Sequence, residues 1–219
     1  EVLRDGAGAQ YGSDAIAGVI NVILDNAPQG GEITATYGAN HTDFEPTGET
    51  ITDGRSRELQ AKYGLRLGET GGFLRAGVEY AKKGATNRAG ADQIPFFENQ
   101  TPANLAMQGK RTFAPGDGES ENTNLWFNSE LPFGEGLTAY AFGTYNHRES
   151  NGAAYFRYPD SSSTVSAIYP NGYRPETTGT NQDISLNAGT RGILAKDWNF
   201  DASLSFGENS FDYGVRNSL

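Results

Sequence analysis

The sequence predicts an all-β fold, specifically a transmembrane antiparallel β-barrel of which about seven strands are present. Three observations carry that expectation. Segments of strict apolar/polar alternation recur along the chain, which is the side-chain period of a strand with two unlike faces. The connections between them read as alternately tight and long, as in a barrel with short turns on one side of a bilayer and long loops on the other. The 219 residues are only 36% hydrophobic and include 29 glycines, too few apolar residues and too many turn formers for an ordinary buried core. No run approaches the 18 apolar residues of a membrane-spanning helix, but a barrel strand needs only about 10 residues of alternation.

Taken in order, EITATYGAN sets Ile33, Ala35, Tyr37 and Ala39 against Thr34, Thr36, Gly38 and Asn40. A polar loop is expected over 45–55. ELQAKYGLRL then opposes Leu59, Ala61, Tyr63, Leu65 and Leu67 to Glu58, Gln60, Lys62, Gly64 and Arg66. A Gly-rich turn at 68–72 leads to FLRAGVEY, with Leu74, Ala76, Val78 and Tyr80 on one face. A long irregular stretch, 84–121, precedes the less regular NLWFNSEL at 124–131, a tight turn at 132–136 and LTAYAFGTY at 137–145. A second long stretch, 149–182, leads to ISLNAGTRGIL and, after the tight turn 195–197, to WNFDASLSF. There Trp198, Phe200, Ala202, Leu204 and Phe206 oppose Asn199, Asp201, Ser203 and Ser205. Alternation alone also suits a soluble sandwich; the loop lengths favour the barrel, because two long structureless loops are uncommon in a compact soluble domain. Seven strands leave two open edges, so the expectation is of a fragment of a larger barrel.

Composition narrows the function. A formal charge of −10 disfavours a nucleic-acid partner, whose phosphates would call for a basic stripe. Without cysteine there is neither a disulfide framework nor thiolate chemistry. His41 and His147 lie apart and read as solvated side chains, and Gly116 to Glu121 reads as an acidic loop rather than a calcium site. No catalytic constellation is legible, so the chain reads as a non-enzyme without a cofactor. The feature that does suggest recognition is aromatic clustering in the long loops. Phe96 and Phe97 lie in the first, and Tyr155, Phe156, Arg157, Tyr158, Tyr169, Tyr173 and Arg174 in the second. Rings and guanidinium groups there offer stacking faces and charge to a ligand, or else pack the loops together.

The opening stretch, EVLRDGAGAQYGSDAIAGVINVIL, fits none of this alternation. It reads as a short strand, a Gly/Ala turn, a short helix capped at Ser13 or Asp14, and an apolar strand over 19–24 that must be covered by something. This stretch closely resembles the end of the plug domain of TonB-dependent outer-membrane receptors, and 169–176 and 211–219 resemble segments of iron-complex receptors within that family. The resemblance implies that 1–28 is the C-terminal end of an α+β plug domain and 29–219 the N-terminal part of a barrel of about 22 strands. It further implies a place in the bacterial outer membrane, contact with its lipid, and uptake of a scarce extracellular ligand, a ferric siderophore or other iron complex, driven by TonB. A passive porin or adhesin barrel, and a soluble β-rich binding module or glycan hydrolase, are the alternatives.

Overall fold

The computed structural model describes residues 2–3, 18–20, 22–93, 99–194 and 198–219. Its dominant element is one seven-stranded antiparallel sheet in strict sequence order. The strands are β3 (Gly30–Phe44), β4 (Glu49–Leu67), β5 (Gly72–Lys83), β6 (Glu119–Phe133), β7 (Leu137–Ala153), β8 (Glu176–Leu194) and β9 (Trp198–Arg216). A separate two-stranded pair joins β1 (Val2–Leu3) to β2 (Val19–Ile20). One short helix, α1 (Pro102–Leu105), sits between β5 and β6, with Pro102 in its first turn and the Thr101 hydroxyl accepting from the Asn104 N–H, a standard N-terminal arrangement.

Register fixes the faces, because directly paired residues project to the same side. Ala61, Val78, Leu125, Tyr145 and Ile184 form one row across five strands, and Leu65–Leu74, Ala188–Leu204 and Leu186–Phe206 are pairs on that same side. This apolar face carries no charged residue from Ile33 to Tyr37, Leu59 to Leu67, Leu74 to Tyr80, Thr123 to Phe133, Leu137 to Tyr145, Ile184 to Leu194 or Trp198 to Phe206. Charge or a long amide then begins at Arg57, Lys82, Glu121, His147, Gln182 and Glu208. Arg57, Lys82 and Glu121 share a row, His147 and Gln182 lie a pleat lower, and Glu208 a pleat lower again. The boundary therefore runs obliquely to the ladder, as it does where strands tilt. Tyr37, Tyr80 and Tyr145 close the uncharged stretch on one side, and Phe133 and Trp198 lie near the other.

The apolar face is bare. Leu204 is 84% exposed and Ile33 77%, and nothing in the chain packs over them. The opposite face is polar and is the one that is covered. Residues 22–29 cross it and are held at Asp25, whose carboxylate accepts from Arg75 Nε at 3.1 Å and lies 3.6 Å from Lys62 Nζ. Asn128 Nδ2 donates to the Asp25 carbonyl at 3.1 Å, and Arg75 Nη1 to the Gly30 carbonyl at 2.6 Å. Arg75 and Asn128 are buried by this contact. Gly64, paired with Arg75, permits it: a Cβ there would overlap the Ala27 carbonyl oxygen and stand 3.0 Å from Arg75 Nη1. Farther along the polar face, Asn146 Nδ2 bridges Asn122 and Asn124 at 2.8 and 2.5 Å, Tyr140 donates to Asp201 at 2.5 Å, and Arg191 pairs with Glu130 at 2.8 Å.

The structure corrects several expected boundaries, in one direction. The loop expected over 45–55 is a tight turn at 45–48, so the connections do not alternate strictly between tight and long. The long connections contract to 84–118 and 154–175. The physical reason is common to all three. The ladder hydrogen bonds continue past the point where both faces turn polar, and the apolar periodicity that marks a strand in sequence stops there. A bulge between Gly38 and Asn40, opposite Gly54 and Arg55, further masks the alternation of β3 and β4. The apolar strand expected over 19–24 is regular only at Val19–Ile20, and Ile20, Val22 and Ile23 are about three-quarters exposed. The expected turn at 5–8, the helix over 9–17 and the turn 195–197 lie outside the described residues.

Asp25 supplies a pH test of how 22–29 is held. The Ala27 N–H, then the Arg75 guanidinium and the Lys62 ammonium, hold its carboxyl below the ordinary carboxylate range against a partial desolvation that opposes them. A group whose folded pKa is depressed stabilises the fold above its unfolded value and loses that contribution as pH falls through the folded one. The segment is therefore expected to stay docked at neutral pH and to loosen only below the ordinary carboxylate range. Amide exchange at Ala27, corrected for intrinsic rate, should accelerate there in the native protein and show no such step in Asp25→Asn.

Candidate functional site

The two long connections leave the same edge of the sheet, since each follows a strand that runs in the same direction as β3. They meet above that edge as a single assembly. The base of 84–118 extends the β4–β5 ladder past the bulge, with Gly84 N–H on the Arg55 carbonyl at 2.8 Å and Gly54 N–H on that of Ala85 at 3.3 Å. Arg88 then grips the Asp53 carboxylate with both guanidinium nitrogens, Nη2 lying 2.9 Å from Oδ1, the fork geometry of a bidentate pair.

Asp92 and Asn104 join the loops. The Asp92 backbone pairs with Lys110 and Gly109 at 2.7 Å each, and its carboxylate accepts from the Thr112 hydroxyl and, at 3.1 Å, from the Tyr158 hydroxyl of the other loop. Asn104 is completely buried. Its Nδ2 donates to the Asn99 carbonyl at 2.5 Å and its Oδ1 accepts from the Asp160 N–H at 2.9 Å. Thr101 donates to the Asp160 carboxylate. Met107, Ala89, Tyr158 and Tyr173 are buried. The Arg111 guanidinium stands 5.6 Å from the centre of the buried Phe44 ring, which ties the assembly to the β3–β4 tip.

The aromatic and basic residues singled out in sequence divide among distinct positions. Phe96 and Phe97 lie outside the described residues. Tyr158 and Tyr173 are buried, and the Tyr173 hydroxyl donates to the Ser163 carbonyl at 2.9 Å, so both hold the loops together. Arg157 and Tyr173 exchange backbone hydrogen bonds of 2.7 and 2.9 Å, which closes 154–175 into a narrow arm. Tyr169 stacks on Tyr173 with centroids 4.3 Å apart, Phe156 meets Tyr158 edge-on at 5.1 Å, and Arg174 Nη1 reaches the Thr112 carbonyl at 3.4 Å. Tyr155 is 73% exposed and touches Phe113 only edge-on at 6.3 Å. The surface presented outward is thus Tyr155 with parts of Phe156, Arg157, Tyr169 and Arg174, on a framework whose polar joints are Asp53–Arg88, Asp92 and Asn104.

Sequence reading passed over those joints. Thr101-Pro102 was a legible helix start, but Asp92 and Asn104 earn their roles only through partners more than 50 residues away. The acidic stretch after Gly116 is resolved into ion pairs: Asp117 lies 2.6 Å from Lys83 Nζ, and Lys82 Nζ lies 3.5 and 2.9 Å from Glu119 and Glu121. His41 Nδ1 pairs with Thr52 at 2.8 Å and His147 Nε2 lies 3.4 Å from Glu149. Among the described residues no group of three His, Asp or Glu side chains converges as a metal would need. The site is built for contact and holds no paired nucleophile and base. No family profile, curated protein or solved structure matches the chain.

Removing the buried joint tests the assembly. Asn104→Ala leaves the Asn99 carbonyl and the Asp160 N–H without partners, at a local cost of about 1–3 kcal/mol. Limited proteolysis is expected to cut 99–111 and 155–174 faster together, with the strands still protected.

Proposed function

We propose that this chain belongs to a TonB-dependent outer-membrane receptor, with the sheet forming part of a transmembrane barrel that further strands close. One observation carries the reading: the polarity of the sheet is inverted relative to a water-soluble protein. The uncharged apolar face is bare, and the polar face is the one covered, by 22–29. A soluble sandwich buries its apolar faces against one another. A barrel in a bilayer turns them to lipid and keeps polar residues inside. The uncharged stretch of β9, Trp198 to Phe206, matches the 9–11 residues with which a tilted strand crosses hydrocarbon. Tyr37, Tyr80, Tyr145 and Trp198 lie where interfacial aromatic side chains belong.

On this reading 22–29 is the exit of a plug domain entering the first barrel strand, and Asp25, Arg75, Lys62 and Asn128 fasten it to the inner wall. The tight turns at 68–71 and 134–136 face the periplasm, and 84–118 with 154–175 faces outward, where Tyr155 and its neighbours meet an extracellular ligand such as a ferric siderophore or other iron complex. TonB supplies the energy for uptake. The resemblance of residues 1–24 to plug ends favours this over a passive porin, which has no plug.

Two outcomes test the proposal in the full-length receptor. Leu204→Lys places a charge on the lipid side and should cost about 2–4 kcal/mol if it lies near the bilayer midplane, whereas Asp201→Asn on the inner wall should cost much less. Equal losses in folded-barrel stability, measured by urea titration in lipid vesicles, would remove the membrane assignment. Deleting 155–174 should weaken binding of the transported ligand to outer-membrane preparations while heat-modifiable gel mobility persists. Unchanged affinity would move recognition away from these loops.

A further inference from the structure

The polar face carries a cavity of about 420 Å³ where β7, β8 and β9 approach residues 117–120, within the size range of small-ligand sites. Three features of its lining belong to different chemistries. The first is a pair of rings. Phe211 and Tyr213 are 61% and 66% exposed, on a face otherwise made of Asn181, Asp183, Asn209 and Ser205. Gly179 makes room for them: a Cβ there would stand 3.2 Å from both the Phe211 ring and Ser150 Oγ, so its absence lets the ring lie against β8. Exposed rings aimed into a polar cavity are platforms for stacking.

The second feature is a set of acceptors. Ser150 donates its hydroxyl proton to the Gly179 carbonyl at 3.3 Å and Thr177 to that of Gly152 at 3.2 Å. Both oxygens therefore face the cavity as acceptors and suit a ligand that brings hydroxyl donors. The third is a cation. The acidic groups at this corner are already paired, Asp117 with Lys83 and Glu119 with Lys82. Arg148, which lines the cavity between Asn122 and Asn181 in neighbouring strands, has no acidic partner among the described residues. A guanidinium so placed favours a carboxylate.

We infer that this cavity binds a hydroxylated ring bearing a carboxylate, with the ring against Phe211 and Tyr213, its hydroxyls on Ser150 and Thr177, and its carboxylate on Arg148. An acidic sugar and a phenolic acid share that chemistry. The inference rests on the proposed reading only in taking the polar face as the wall a ligand meets; the cavity itself is formed by strands of this chain.

The experiment is a calorimetric titration of the detergent-purified full-length protein with digalacturonate and, separately, with 3,4-dihydroxybenzoate. Each is paired with its neutral form, the methyl ester or the amide. At least one acid is expected to bind saturably and about tenfold more tightly than its neutral form, the scale of one charge-assisted contact. Arg148→Gln should abolish that difference without changing the neutral form's affinity, Arg148→Lys should restore part of it, and Phe211→Leu should weaken both forms. Variants are compared only where they keep the heat-modifiable mobility of the parent; Tyr213→Leu replaces Phe211→Leu if the latter does not. Which acid binds distinguishes the sugar from the phenolic source. Saturable binding of neither acid, or binding indifferent to Arg148→Gln, overturns the inference. Loss of the membrane assignment through Leu204→Lys would leave this titration readable, so the two failures are separable.

Discussion

Backbone hydrogen bonding between neighbours in one unbroken register, from β3 to β9, is the constraint from which the other properties of this molecule follow. Once the ladder is set, side chains have only two directions to go, and a shift of one residue would exchange the faces of an entire strand. Rows such as Ala61–Val78–Leu125–Tyr145–Ile184 exist because the register holds across five strands at once. The same register gathers Lys62, Arg75, Asn128 and Asp201 onto the other side. Sorting by polarity is thus a property of the sheet, and neither face depends on a buried core for its definition.

Charge on the polar side does the work that apolar packing does in a soluble domain. Arg75 is nearly buried, a costly state for an unpaired guanidinium. Its cost is offset because the Asp25 carboxylate and the Gly30 carbonyl both accept from it. Gly64 leaves the space in which those groups approach, so one absent side chain in β4 decides whether 22–29 can lie against the wall. The loops follow the same logic at the other end: Asp53–Arg88, Asp92 and Asn104 are polar joints, with only a small cluster around Met107, Tyr158 and Tyr173 between them.

The all-β class and the two faces were legible in the sequence because WNFDASLSF and ELQAKYGLRL repeat at a period of two that no helix shares. The assignment of Leu204, Leu186 and Leu65 to one face, and of Asp201, Asn187 and Arg66 to the other, agrees with the register. What was not legible was where each strand ends. From Arg57 back to Glu49, and from Glu208 on to Arg216, both faces are polar, so the residues look like loop although they remain in the ladder. The loop assembly was half legible. Aromatic clustering located it, but which rings are buried and which are offered depended on Asp92 and Asn104, whose partners are distant in sequence.

The strands outrun the uncharged band on one side only. In β9 the ladder continues from Gly207 to Arg216, roughly 30 Å of chain at about 3.3 Å per residue, and β7 and β8 keep pace. With the band seated in a bilayer, this overhang is a stiff collar standing clear of the headgroups. A large solute would then reach the loop assembly without touching the membrane surface, and the rigidity of the rim would come from paired backbone. Height, on that view, is a property the ladder confers: the mouth of such a receptor is set by how far its strands stay paired after they have left the lipid.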